Sequence, residues 1–376
     1  MTEGPGNRAP LRVGIISAAW GVKAHLPAWR TVEGVEVTAI CTSRPETAAA
    51  ACEATGVPRA FHDFRAMAAD PDIDIVDCGT RPPLRHAMVL AALEAGKHVY
   101  NGIPFAKDMT DARDMVAAWR KAGTVAAVDA FTQAVPALVR AKELLDEGAL
   151  GDIFGARIFF DAPLFTAAQV NVPGYVWFAD PANGASAMRN LGSHMTNLMV
   201  HLLGPIERVV ADSSLRLHDW PGEPVRPAVP DTETMMVRFA SGVPGQINAC
   251  WSMLDGPGFR LEIWGSKGRL EATAPVFPQA HDTRLFLSHD PGLGRRTATE
   301  VELPDRLLGY PGTSARAERP ADGLLPMAAI FASMRDEIWG VGKAAPDFAQ
   351  ALHVQQVIEA AALSAREERW ARVDEL

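Results

Sequence analysis

Residues 75–106, IVDCGTRPPLRHAMVLAALEAGKHVYNGIPFA, constrain the fold more than any other stretch of the chain. A largely apolar run to Cys78 breaks at Gly79 and Pro82-Pro83, a helical pattern covers 84–95, Gly96 stops it, and an extended stretch begins at His98. This is a β-α-β unit, and its two strands must lie parallel. In a parallel sheet, ligands gather beyond the carboxyl ends of the strands. The loops at 79–83 and 101–104 are therefore expected to look into one crevice. The second loop reads Asn-Gly-Ile-Pro and offers no acid, base or nucleophile.

The same alternation runs on both sides of this unit. Upstream lie a strand at 11–18, a helix-compatible stretch with His25, Pro27 and Trp29, a strand at 35–41, an alanine-rich helix closed by Gly56, a short helix at 64–68 and a strand at 73–78. Downstream come a helix at 111–122 and a strand at 125–129. The pattern predicts an α/β fold whose first domain, residues 11–130, is a doubly wound parallel sheet behind a flexible tail at 1–10.

After Phe131 the pattern changes to a helix stopped by Gly148 and then long β-type runs at 153–160, 206–217, 232–239, 245–251 and 259–264, with a helix at 192–203 between the first two. Residues 131–376 are expected to form an α/β domain with a large, mainly antiparallel open sheet and helices on one face. The stretches 221–230 and 290–322 read as irregular loops, and a last helix spans 347–366.

A length of 376 residues suffices for two cores. The net charge of -9 argues against a nucleic-acid binder. Cys41, Cys52, Cys78 and Cys250 have no metal-ligand spacing and read as reduced, buried thiols. With no apolar signal core at the start and no run of about 18 apolar residues, a cytoplasmic protein without membrane partners is expected.

The order of these pieces resembles the glucose-fructose oxidoreductase, inositol dehydrogenase and MocA (Gfo/Idh/MocA) family over residues 11–373. RVGIISAAWGVKAHLPAW sits where that family has its strand-one glycine turn, RPPLRHAMVLAALEAGKHVY resembles the segment after strand four, and NGASAMRNLGSHMTNLMVHLLG resembles the active-site helix. LVRAKELLDEGALGDIFGARI, LEIWGSKGRLEA and the closing RWARV also match in place. The resemblance implies a nicotinamide-binding Rossmann domain at 11–130, a substrate-binding and oligomerising domain at 131–376, and homo-oligomers, dimers or tetramers, formed through the broad sheet.

The chain departs from the family pattern where chemistry is expected. The G-x-G-x-x-G positions read Ser17, Ala19 and Val22, with Gly21 one residue out of register. Small residues there let a backbone approach a pyrophosphate, so either the turn still holds a dinucleotide, with Trp20 beside it, or the cofactor site has lapsed. The second strand ends in Thr42, Ser43 and Arg44 rather than an acid, which suits the 2′-phosphate of NADP better than the 2′-hydroxyl of NAD. Gly79, Arg81 and Pro82 would flank the adenylate, and Asn101 and Pro104 the nicotinamide. The family's Glu-Lys-Pro loop has become Gly102-Ile103-Pro104, without the lysine; Lys107 lies three residues beyond.

On the active-site helix, D-x-G-x-H-x-x-D appears as Asn190, Gly192, His194 and Asn197. An amide keeps the shape of a carboxylate but not its charge or basicity, and imidazole titrates near neutrality. His194 is the expected acid or base, with Asn190 orienting the substrate and Tyr175 assisting; His201 reads as packing, and the two histidines have no metal-site geometry. His25 and His86 match positions that brace the cofactor loops, and Gln133, Trp177, Asn183 and Arg189 suit a polar ligand or an aromatic wall.

Three readings stay open. The leading one is an atypical NAD(P)-dependent oxidoreductase acting on a small polar carbonyl, hydroxyl or imine compound. A lyase, dehydratase or cyclase on the same scaffold is the second. The third is a dinucleotide or ligand sensor without turnover, as the resemblance to the branch of the fungal galactose-pathway repressor implies.

Overall fold

The computed structural model describes residues 8–170, 174–289, 297–317 and 324–376. The chain divides into two compact units. One comprises Met1–Phe131 with Gly309–Leu352, the other Thr132–Leu308 with His353–Leu376.

Among the described residues the first unit is built on six strands: β1 (Leu11–Ile16), β2 (Val35–Cys41), β3 (Arg59–Phe61), β4 (Ile75–Cys78), β5 (His98–Asn101) and β6 (Ala126–Val128). Their order is β3-β2-β1-β4-β5-β6 and all pairs are parallel. This is the doubly wound arrangement, with its switch point between β1 and β4. β4 is buried along its whole length, as a strand covered on both faces must be. The helix Pro82–Glu94 starts on the proline pair, whose missing N–H groups cost nothing in a first turn. The helix Met109–Ala122 starts on Asp108, whose carboxylate accepts the Asp111 N–H at 3.0 Å.

The second unit carries nine strands among the described residues: β7 (Ile153–Asp161), β8 (Ile206–Ser214), β9 (Thr232–Phe239), β10 (Pro244–Cys250), β11 (Gly258–Gly265), β12 (Gly268–Ala274), β13 (Arg284–Ser288), β14 (Thr299–Glu300) and β15 (Ala371–Arg372). They form one sheet in the order β14-β13-β12-β11-β7-β10-β9-β8-β15, antiparallel except between β10 and β7. On one face Ala156, Ile158, Phe160, Val237 and Leu261 pack into a core with Leu138, Leu198 and Val357 from helices. The opposite face is charged. Glu262, 2% exposed, lies among Arg157, Arg260 and Arg269, which hold its carboxyl below the ordinary range although burial alone would raise it.

The α/β class and the mainly antiparallel second sheet agree with the sequence reading, and all four cysteines are buried and free of disulfides. The division at residue 130 needs correction in its second half, because Gly309–Leu352 packs with the first unit. The reason is the helix Leu324–Ile338, which the sequence reading passed over: it is apolar almost all round, and its Phe331 stacks on Trp29 at 3.7 Å. The stretch 290–322, read as irregular, contains β14, while residues 290–296 and 318–323 lie outside the described residues. Of the expected tail, residues 1–7 also lie outside them, whereas Arg8 is held by the Trp339 carbonyl at 2.7 Å.

Candidate functional site

The turn after β1 is closed by small residues. The Ser17 hydroxyl accepts the N–H groups of Ala19 at 3.0 Å and Gly21 at 3.3 Å, drawing the chain into a tight loop. A Cβ on Gly21 would stand 2.8 Å from both Ile15 Cγ2 and Ser17 Cβ, and one on Gly79 would stand 2.9 Å from Gly21 Cα. Gly21 therefore supplies the close approach that the displaced glycine pattern left in question. The turn runs into a π-turn, Gly21–His25, whose hydrogen bonds span one residue more than those of an α-helix. Such a backbone cradle, at the switch point, fits a pyrophosphate. Ala19 and Trp20 are exposed on its rim.

At the end of β2, Thr42 is occupied within its own turn, where its hydroxyl meets that of Thr47 at 2.6 Å. Ser43 and Arg44 are exposed, and the Arg44 guanidinium has no partner among the described residues. The loops after β4 and β5 carry the other expected contacts. Arg81 is exposed ahead of the buried Pro82. Asn101 points inward instead: its amide is buried and donates to the Phe105 carbonyl at 2.9 Å, so it braces the loop. Pro104 is buried behind it, Lys107 pairs with Asp108 and Asp111, and His86 lies 3.4 Å from Asp114.

Beneath the turn lies a charged network of which the sequence reading named only His25, as a brace of the cofactor loops. His25 is wholly buried, with Nδ1 at 2.9 Å from Asp77 and Nε2 at 3.3 Å from Asp129. The Trp29 indole donates to Asp77 at 2.8 Å, the Tyr100 hydroxyl to Asp129 at 2.7 Å and the Trp20 indole to Asp129 at 3.3 Å. Burial works against a charged imidazole, but Asp77 and Asp129 outweigh it and hold the His25 pKa at about 10 against an ordinary 6.5. His25 thus keeps a proton in the folded chain that an unfolded chain releases. Its contribution to stability is complete below about pH 6.5 and lost as pH rises through about 10. The melting temperature should fall over that window, and the fall should flatten in His25→Gln; equal slopes in the two proteins would remove His25 as the source.

In the second unit the site helix is also broken by a π-turn, Met188–Gly192, which runs into the α-helix Ser193–Leu203. Side chains answer the altered ladder: the hydroxyls of Ser193 and Thr196 and the amide of Asn197 bond the carbonyls of Arg189, Gly192 and Ser193. Asn190 is committed too, its amide oxygen accepting the Ser186 N–H at 3.1 Å. Arg189 pairs with Glu359. Glu233 caps the helix, accepting the Met188 N–H at 2.6 Å and the Ser213 hydroxyl at 3.1 Å. Burial raises its carboxyl pKa. His194 is half-buried, with its ring edge-on to Phe277 at a centroid distance of 5.0 Å and its carbonyl bonded by the Thr132 hydroxyl at 3.2 Å. Tyr175 packs edge-on against Phe178, Asn183 donates to the Trp177 carbonyl at 2.8 Å, and Gln133 is buried.

Residues 11–130 match the model of the oxidoreductase family with an NAD-binding Rossmann fold, and residues 138–271 match the GFO/IDH/MocA C-terminal domain. The chain is similar to the D-apiose dehydrogenase of Paraburkholderia graminis, 27% identical over 81% of this chain and 76% of that one. It is also similar to the levoglucosan dehydrogenase of Pseudarthrobacter phenanthrenivorans, 25% identical over 97% and 99%. In fold it is similar to a levoglucosan dehydrogenase solved with NADH and L-sorbose, with a TM-score of 0.84 at 24% identity over 97% and 99% of the two chains.

Proposed function

Because the chain belongs to the Gfo/Idh/MocA oxidoreductase family, we propose that it is a nicotinamide-dependent dehydrogenase or reductase of a small polyhydroxylated compound, with His194 as its acid or base. The observation that carries this reading is the close approach of Gly79 to Gly21, which lets the loop after β4 pack on the strand-one turn at the switch point although the glycine pattern is displaced. Similarity to enzymes named for apiose and levoglucosan supports the substrate class.

Ser17, Ala19 and Trp20 would hold the pyrophosphate side of the dinucleotide, with Gly79 and Arg81 along its path. When bound, the nicotinamide supplies the acceptor or donor of a hydride. In the oxidative direction the imidazole of His194 would accept the proton of the substrate hydroxyl, and in the reductive direction it would return one. Tyr175 and Asn190 belong to the same unit as His194 and shape the substrate side; Asn190, held by Ser186, serves by fixing its helix. The charged face of the nine-stranded sheet, with exposed Met236 and Trp264, is the surface through which copies would associate.

NADP is favoured over NAD because Ser43 and Arg44 end β2 with a cation and a hydroxyl and no acid. Arg44→Ala is expected to raise the NADPH dissociation constant about tenfold and leave NADH unchanged. An equal change for both would dismiss the preference.

The deciding experiment compares thermal unfolding with NAD, NADH, NADP and NADPH, followed by turnover on a panel of sugars, anhydrosugars and polyols. A shift that grows with ligand excess together with reduction of the cofactor supports the reading; no shift with any of the four removes it. A dinucleotide sensor is favoured by one observation, that the Asn190 amide oxygen accepts the Ser186 N–H just ahead of its helix and the Asn197 amide donates to the Ser193 carbonyl within it. Binding without turnover across the panel would select it.

A further inference from the structure

We propose that Arg85 is a positioning residue that locks the loops after β4 and β5 into one body, and that Gly102 is its necessary partner. The guanidinium sits in the first turn of the helix Pro82–Glu94, 3% exposed. Its Nε donates to the Thr80 carbonyl at 2.6 Å, one terminal nitrogen to the Ile103 carbonyl at 3.3 Å and the other to the Pro104 carbonyl. One side chain thus ties the loop that holds Gly79 and Arg81 to the loop at 101–105. A lysine could not do this, since a single ammonium lacks the planar fork that reaches three separate carbonyls.

Gly102 provides the room. A Cβ there would stand 2.9 Å from Arg85 Cζ and 3.0 and 3.1 Å from the two terminal nitrogens, so the guanidinium lies where a side chain at 102 would be. Isolated buried charges are costly, and Arg85 has no carboxylate at ion-pair distance among the described residues. Burial lowers its pKa to about 10, against the opposing pull of Asp129 and Asp77, and it stays charged at neutral pH. Those same carboxylates flank His25. Around this network two buried cations, Arg85 and protonated His25, stand with two buried anions, Asp77 and Asp129, and these four charges cancel. Losing Arg85 would both free the loops and leave one carboxylate in excess beneath a site for an anionic dinucleotide.

The functional consequence rests on the dinucleotide reading above, and the test separates the two. NADH and NADPH are titrated by energy transfer from tryptophan against wild type, Arg85→Gln, Gly102→Ala and the double variant, with amide hydrogen exchange read across residues 99–107. Gly102→Ala keeps the cation and adds only a methyl group. Each single variant is expected to raise the dissociation constant and the loop exchange rate about tenfold, and the double variant no further than Arg85→Gln, because with the guanidinium gone the added methyl displaces nothing. Arg85→Gln within twofold of wild type in binding and exchange, or a double variant whose losses multiply to about a hundredfold, would overturn the inference. If wild type binds neither dinucleotide, the functional reading fails, and the exchange rates alone decide the role of Arg85.

Discussion

Asp77→Ala is expected to lower the free energy of unfolding by about 3–5 kcal/mol, the scale on which a broken buried ion pair destabilises a domain. Asp77 has no exposed surface and lies on β4, a central strand, where it accepts both the His25 imidazole and the Trp29 indole. Truncation leaves an imidazolium with one carboxylate rather than two, strands the indole N–H, and opens a cavity against the Trp29–Phe331 stack. Asp77→Asn keeps the shape and one acceptor, so its loss should be smaller. Urea unfolding followed by tryptophan fluorescence measures both, and a loss below about 1 kcal/mol for the alanine variant would mean that the network is not what holds this unit together.

For activity the largest effect belongs to His194→Gln. Once a substrate is identified, kcat should drop by about 10²–10⁴ with KM and dinucleotide affinity nearly unchanged, since glutamine can hydrogen-bond the substrate hydroxyl but cannot accept its proton. The pH dependence of kcat should lose the limb set by the imidazole. Full turnover by this variant would strip His194 of its role and shift attention to Tyr175 or to a group supplied by the substrate.

Much of the frame was legible in the chain because strands buried on both faces leave plain apolar runs and glycines end helices visibly. The bounds expected for the second strand coincide with Val35–Cys41, and Gly56 closes its helix with a φ of 71°. Short strands such as β13 and β14 leave too little pattern to be seen, and the helix Leu324–Ile338 escaped because a helix that is apolar all round has no amphipathic period.

The buried network was harder, yet it left a trace. Asp77 within Ile-Val-Asp-Cys is an acid in the middle of an apolar strand, a place where a lone carboxylate is not tolerated. What could not be read was its partner, since His25 lies 52 positions away along the chain. The exchange of acid for glycine at 102 was visible as a loss; only the structure relates that space to Arg85.

The division of the chain into Met1–Phe131 with Gly309–Leu352 and Thr132–Leu308 with His353–Leu376 governs the order in which the protein can be made. A ribosome finishes the six parallel strands early, but Phe331, which covers Trp29 and Tyr100, emerges some 200 residues later. The nascent sheet must wait, with an aromatic face uncovered, while every strand of the second unit except β15 is synthesised. β15 in turn pairs with β8 only once residues 371–372 have left the exit tunnel. Neither unit is a contiguous gene fragment, and a chain cut at residue 131 would release a nucleotide-binding sheet without its lid of packing, a natural client for chaperones.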